Sequence, residues 1–321
     1  MVSKIRIFIK ILIPCLCIVV LWKLIDPHIF INLFSNLNWS SIFWLLSISF
    51  IMVLISAFKW KILIDYLGSK TPLVKLFGLY LIGYFTNLLL PSYLGGDAVR
   101  SYYIGKEVGQ SQAAAATIFE RFSGILSMSI LALISSFFLR EISTLMQIWI
   151  VIFCIALVLV FLISVSNTTN NILNKLIEKK IRFINPIFKL ILKLSDSFKI
   201  VSKNKKLLAE VFFLSFLFHG MTVVNTVACA YAIGWSNISW IGVGTVIPTI
   251  LIISALPIAP QGLGLQEGAF VFFLHTIGGT TEQALGISLL LRAKGYVLAL
   301  VGGLLYLFPT TLTSSGNLSA K

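Results

Sequence analysis

The sequence predicts an all-α polytopic membrane protein of about six spanning helices plus two re-entrant helical hairpins, arranged as an inverted-topology repeat. Three observations carry that reading. Of 321 residues, 58% are hydrophobic and only 11% charged, and the mean hydropathy is +0.98, whereas a soluble domain is about a quarter charged. Several apolar runs reach the about 20 residues that a helix needs to cross a bilayer. Two shorter apolar runs break at proline- and glycine-rich turns, at matching places in two similar halves. Together these exclude a cytosolic enzyme, a secreted disulfide scaffold and a nucleic-acid-binding domain.

The elements follow in order from hydropathy and charge. Lys4, Arg6 and Lys10 precede an apolar run through about Leu24 with no small-residue cleavage site after it, so this reads as an uncleaved first helix with its N-terminus cytoplasmic. Asp26 to Ser40 carries no Lys or Arg and suits the outer face. A second helix covers about Ile42 to Phe58, and Lys59, Lys61, Lys70 and Lys75 place the loop after it inside. Leu76 to Leu90 is apolar, but its 15 residues rise only about 22 Å, short of the roughly 30 Å of hydrocarbon. It stops at Pro91-Ser92-Tyr93-Leu94-Gly95-Gly96-Asp97, and a return stretch reaches Arg100 and Lys106. Backbone groups freed at membrane depth need protein or a water-filled cavity to satisfy them. Residues 76–110 therefore read as a re-entrant hairpin from the cytoplasmic side.

Ala113 to Leu139 spans outward and Ile148 to Val165 returns. Residues 166–206 form a basic cytoplasmic loop with ten Lys and Arg against Glu178 and Asp196, which is 8 of the +14 net charge. Leu173, Leu176, Lys180, Ile184, Ile187 and Ile191 fall at helical steps within it, an amphipathic surface helix interrupted near Pro186 and resting on anionic headgroups. No aromatic-basic module accompanies the charge, so nucleic acid is not an expected partner. Leu207 to Ile233 spans outward; Gly242 to Leu256 is short and breaks at Pro257-Ile258-Ala259-Pro260-Gln261-Gly262-Leu263-Gly264. Leu265 to Ile277 completes a second hairpin, residues 242–277, whose flanks lack basic residues and so lie outside. Leu285 to Phe308 spans back. The chain is thus one transmembrane domain over 1–321, with halves of about 1–165 and 207–308.

The halves repeat more than their order. Asp97 precedes Arg121 by 24 residues, Glu267 precedes Arg292 by 25, and each arginine begins an Arg-x-x-Gly. Broken helices in matching positions of two inverted halves point to a transporter's midplane site. Arg121 and Arg292 are the leading candidates to hold an anionic headgroup, because the planar guanidinium offers paired donors to phosphate and stays charged when partly desolvated. A purely structural role is the competing expectation, with Arg121 pairing Asp97 or Glu120 and Arg292 pairing Glu267. Glu120, Asp97, Glu267, Arg100 and Asn87 complete the expected binding set. Asp97 and Glu267 each follow a glycine-rich turn and suit capping of the returning half-helix as well as proton coupling. Arg100 is expected at the hairpin mouth or snorkelling to the interface, and Lys294 ranks below Arg292 because its long stem can reach an interface. Pro91, Gly95, Gly96, Pro257, Pro260, Gly262 and Gly264 are expected to set hairpin geometry.

Cys15, Cys17, Cys154 and Cys229 all lie inside apolar runs, and His28, His219 and His275 share no ligand spacing, so no metal or cofactor is expected. No Walker A sequence, nucleophile elbow, zinc-protease helix or paired-aspartate sugar-nucleotide motif occurs, and no enzymatic activity is expected.

Three stretches, Asn87-x-x-x-Pro91-x-x-x-Gly95-Gly96-Asp97-x-x-Arg100, Glu120-Arg121 and Pro260-x-Gly262-x-Gly264-x-x-Glu267, resemble the lysylphosphatidylglycerol synthase transmembrane-region family, also called flippase-like domain proteins. The resemblance runs from roughly Ile5 to Phe308, and Gln261 stands where a glycine is more usual. In bifunctional members this region is joined to a soluble aminoacyl-transferase domain and is credited with moving lysylphosphatidylglycerol between leaflets. With about a dozen residues after the last span, the resemblance implies the translocating part without the synthetase part. Stand-alone relatives are associated with polyprenyl-linked glycans, hopanoids or other envelope lipids. The implied function is a flippase in the plasma (bacterial inner) membrane for an anionic phospholipid, aminoacyl-phospholipid or polyprenyl-phosphate-linked lipid. The second reading is a membrane enzyme or accessory subunit in lipid-linked glycan or envelope lipid synthesis, partnered by a lipid-modifying synthase or glycosyltransferase.

Overall fold

The computed structural model describes residues 37–68, 70–89, 95–138, 144–166, 198–255 and 259–307, with His28, Asn32, Ser35, Leu192, Ser195 and Asp196. The expected first helix with Cys15 and Cys17, the hairpin residues Pro91 and Pro257, the amphipathic stretch Leu173 to Ile191 and the polar tail lie outside the described residues. Among the described residues there is no strand. The helices are α1 (Trp39–Tyr66), α2 (Leu73–Leu89), α3 (Gly95–Val108), α4 (Gln110–Phe138), α5 (Thr144–Val165), α6 (Lys205–Ala232), α7 (Trp240–Ser254), α8 (Leu265–His275) and α9 (Thr281–Leu307), with a 3-10 turn at Pro260–Gly262.

Length sorts these helices into two kinds. α1, α4, α5, α6 and α9 are long and apolar enough to cross a membrane. α2 and α7, of 17 and 15 residues, rise only about 25 and 22 Å and fall short. Each short helix turns back into α3 or α8. Three spans, α4, α5 and α6, separate the two hairpins, and the segment between α5 and α6 is too polar to add a crossing. An odd number of crossings is what the expected inversion of the two hairpins requires.

The two halves begin and end their first described span alike. α1 and α6 are both 28 residues long. Asn38 caps α1 by accepting from Ser41 N at 2.7 Å, and Asn204 caps α6 by accepting from Leu207 N at 3.1 Å, each satisfying one of the orphan donors of a first turn. Both helices stop at a hydrophobic residue followed by a glycine of positive φ, Leu67-Gly68 and Ile233-Gly234, the usual left-handed helix terminator.

Packing exchanges the halves. α1 lies along α6, α2 packs on α9 and α7 on α4, while α3 and α8 rest on the span that follows each of them. Each half also keeps its own apolar core: Trp60, Leu63, Leu79, Ile82, Ile104 and Phe119 in the first, Val243, Val246, Ile250, Phe270, Leu274 and Ile287 in the second. The outward surface is apolar as well. α5 presents Trp149, Ile152, Ile155, Leu159 and Leu162 away from the protein, a face that acyl chains can cover.

One boundary differs from the sequence reading in a way that matters. α1 runs on from Phe58 to Tyr66 because neither proline nor glycine interrupts it before Gly68. Lys59 is therefore helical and buried, 4% exposed, not part of a cytoplasmic loop. Lys61 stays near the surface and pairs with Asp65 one turn on.

Candidate functional site

The first half-site is built where α3 meets α4. Asp97, third residue of α3, accepts from Arg121 through both oxygens, Nε to Oδ2 at 2.6 Å and Nη2 to Oδ1 at 2.7 Å, a two-pronged charge-assisted pair. Arg100 adds a bond from Nε to Asp97 Oδ1 at 3.1 Å and one from Nη2 to Glu120 Oε2 at 2.7 Å. Its guanidinium lies 4.5 Å from the Trp60 ring centre and 4.1 Å from that of Tyr80, and Tyr80 Oη donates to Glu120 Oε1 at 2.5 Å.

These contacts revise one expectation. Arg100 is 1% exposed and neither snorkels nor lines a mouth, because two carboxylates and two aromatic faces hold it inside. The Asp97 carboxylate accepts from two guanidinium groups, those of Arg100 and Arg121. Glu120 likewise faces protein, with Arg100, Tyr80 and Lys59 around it. Arg121 differs from all of these: its side chain is 53% exposed, and Nη1 has no bond among the described residues.

Glycine brings the two arms of this hairpin together. A Cβ on Gly96 would run into the Gly83 carbonyl oxygen of α2, so only glycine permits this crossing of α2 and α3. Gly96 N donates to Asn87 Oδ1 at 2.6 Å, which gives Asn87 the role of closing the hairpin.

The second half-site repeats the central pair with fewer charges. Arg292 contacts Glu267 Oε1 through Nε at 2.7 Å and Nη2 at 2.6 Å. Glu267 Oε2 accepts from Gly264 N at 2.7 Å, so this acid caps α8 as the sequence suggests and binds arginine as well. Arg292 also reaches Gln261 O and Gln266 Oε1, each at 3.4 Å, and its side chain is only 9% exposed. Pro260 opens the 3-10 turn, and Gly262 and Gly264 have φ of +61° and +75°. Gln261, at φ +49°, adopts the same left-handed region, where a side chain costs about 1–2 kcal/mol. The side chain offsets that cost: Nε2 donates to Asn87 O at 2.8 Å. That bond joins the two hairpin tips.

Position by position the halves correspond. Asp97 and Glu267 are third in α3 and α8, and Arg121 and Arg292 each stand eleven residues after the start of α4 and α9. On the same alignment Arg100 matches Phe270 and Glu120 matches Leu291, both in the second apolar core.

Two buried lysines adjoin the site, although the sequence places Lys59 in a cytoplasmic loop and ranks Lys294 below Arg292. Lys59 Nζ donates to Ser215 Oγ at 3.2 Å and Glu120 O at 3.4 Å, and lies 3.9 Å from Glu120 Oε1. Lys294, 6% exposed, donates to Asn225 Oδ1 and sits 3.6 Å from Cys229 Sγ; it does not reach an interface. A signal was available: Lys59 and Asn225 are the twenty-first residues of α1 and α6.

Comparison with known proteins agrees with this architecture. The sequence profile described as Lysylphosphatidylglycerol synthase TM region matches residues 7–303. A UPF0104 membrane protein of Methanocaldococcus jannaschii is 25% identical over 276 residues, 79% of this chain and 79% of that protein. A UPF0104 membrane protein of Methanothermobacter thermautotrophicus is 22% identical over 292 residues, with the same shares covered.

Proposed function

The chain belongs to the lysylphosphatidylglycerol synthase transmembrane-region family, and on that premise we propose that this integral membrane protein moves a lipid with an anionic headgroup between leaflets. Anionic phospholipids, aminoacyl-phospholipids and polyprenyl-phosphate-linked lipids share the phosphate that such a site would hold. One observation carries the reading: a guanidinium–carboxylate pair occurs twice, at equivalent positions of two hairpins whose tips are bonded to each other.

Each carboxylate occupies the arginine fork that a phosphate diester would take. Exchange of one oxyanion for the other keeps the guanidinium bonded throughout, which matters because an unpaired charge at membrane depth is costly. Arg121 is open and Arg292 closed, which fits one of two alternating states. In the opposite state Arg292 would be the open member, with the lipid tails remaining in the bilayer.

The test is leaflet exchange of fluorescent phosphatidylglycerol in proteoliposomes, read by quenching of the outer leaflet. Arg121→Ala with Arg292→Ala is expected to reduce exchange to the protein-free level. A folded double variant that exchanges lipid at the wild-type rate would overturn the assignment. Product formed by the purified protein from lipid and a sugar donor, without leaflet exchange, would favour a membrane enzyme instead.

A further inference from the structure

The proposed headgroup role rests on the two arginines and leaves two buried cations unused, Lys59 and Lys294, which are 4% and 6% exposed. Neither has a carboxylate to itself. Glu120 is committed to Arg100 and Tyr80 at 2.7 and 2.5 Å, leaving Lys59 Nζ 3.9 Å away. Lys294 has the neutral partners Asn225 and Cys229. Burying an ammonium in this way is expensive, and the fold does it twice.

The two ammonium groups are also equivalent. Lys294 matches Ser123 on the α4–α9 alignment, and Lys59 matches Asn225 on the α1–α6 alignment. In the first half the lysine is on α1, and Ser215, which it bonds, also donates to Ser123 at 3.3 Å. In the second half Asn225 holds the α1-like place and the lysine is on α9. The cation keeps its location while the helix supplying it changes.

A polar stripe on α6 joins the two places. Ser215, His219, Thr222, Thr226 and Cys229 recur at alternating steps of four and three residues on one helix face, with Asn225 beside them. All but Thr222 are buried, and His219 Nδ1 has no hydrogen-bond partner among the described residues. From Ser215 to Asn225 the stripe rises about 15 Å.

We propose that Lys59, the α6 stripe and Lys294 form a proton path that couples lipid movement to the transmembrane proton gradient; this rests on the transporter reading. Each lysine releases a proton by breaking one Nζ–H bond, the electron pair staying on nitrogen. The proton passes to water or to the lone pair on Nδ1 of His219 in its Nε2–H tautomer. Around Lys59 the charged and titratable neighbours are Glu120 and Arg121 on α4, Arg100 on α3, Tyr80 on α2 and His219 on α6. Around Lys294 the titratable neighbour on α6 is Cys229, and no charged group of α1, α2 or α8 bonds to it among the described residues.

The experiment uses vesicles of phosphatidylethanolamine and phosphatidylglycerol with a trace of fluorescent phosphatidylglycerol and an imposed gradient of about one pH unit. For each coupled proton this biases the steady-state leaflet distribution about tenfold. The wild type is expected to show the bias, Lys294→Ser to lose it, and Asn225→Lys with Lys294→Ser to regain it by supplying the ammonium from α6. Lys294→Met, measured alongside, is expected to lose the bias without lowering the thermal midpoint, which a merely structural lysine would not allow. Exchange that ignores the gradient in the wild type overturns the coupling and leaves the transporter reading intact. Absence of any protein-dependent exchange overturns both.

Discussion

The first hairpin is held to its span by Asp97, Arg100, Glu120 and Arg121 with two aromatic rings, the second by Glu267 and Arg292 with an apolar contact. The difference separates the charges that build from the charges that act. Where the first half has Arg100 and Glu120, the second has Phe270 and Leu291 in the same places, and the hairpin still forms. A buried ion pair replaced by a packed apolar pair is often neutral in stability, so Arg100 and Glu120 read as scaffold. The Asp97–Arg121 and Glu267–Arg292 pairs and the buried ammonium occur in both halves, which scaffold needs alone would not require.

The largest effect should come from breaking the scaffold pair on one side only. Arg100→Ala or Glu120→Ala leaves a buried partner uncompensated and is expected to cost about 3–5 kcal/mol, seen as a lowered thermal midpoint in detergent. Arg100→Phe with Glu120→Leu copies the second half and is expected to recover most of that loss while lipid exchange persists. Loss of exchange in a stable double variant would show that these two charges act as well as build.

Next in size is the arginine geometry. Arg121→Lys and Arg292→Lys keep the charge and lose the fork. Each is expected to slow lipid exchange about 10- to 100-fold, the equivalent of the about 1.5–3 kcal/mol of a charge-assisted bond. Equal losses would mark the two arginines as equivalent; a loss at Arg121 alone would confine the site to the first half.

Much of this was legible in the residues and some was not, for physical reasons. Proline and paired glycine interrupt an apolar run whatever the tertiary context, so both hairpins show in the sequence, as do the two arginines that sit in otherwise apolar spans. Lys59 was hidden because it lies beside Lys61 where a hydropathy window ends, and only the uninterrupted helix to Tyr66 carries it inward. Lys294 was hidden because a long stem can snorkel, and its bond to Asn225 on a distant helix depends on packing. The partner of Arg100 lies 20 residues away, a register that composition cannot supply. Gln261 was legible only as a departure; its φ of +49° and its bond to Asn87 explain it.

The smallest effect belongs to that tip. Gln261→Gly relieves about 1 kcal/mol of left-handed strain and removes a hydrogen bond of about the same worth. The thermal midpoint is expected to move little, with faster hydrogen exchange at Asn87 and neighbouring amides as the two tips separate. A large destabilisation would mean that the tips, more than the helices, hold the halves together.

The claim on which the rest depends is that equivalent hairpins reach one place from opposite faces. With Cys15, Cys17, Cys154 and Cys229 replaced by serine, Ser111→Cys after the first hairpin and Thr280→Cys after the second are both exposed positions. A membrane-impermeant maleimide added to one side of sealed vesicles is expected to label one of these cysteines, and added to the other side to label the other. Labelling of both from the same side would contradict the inversion, and with it the shared site.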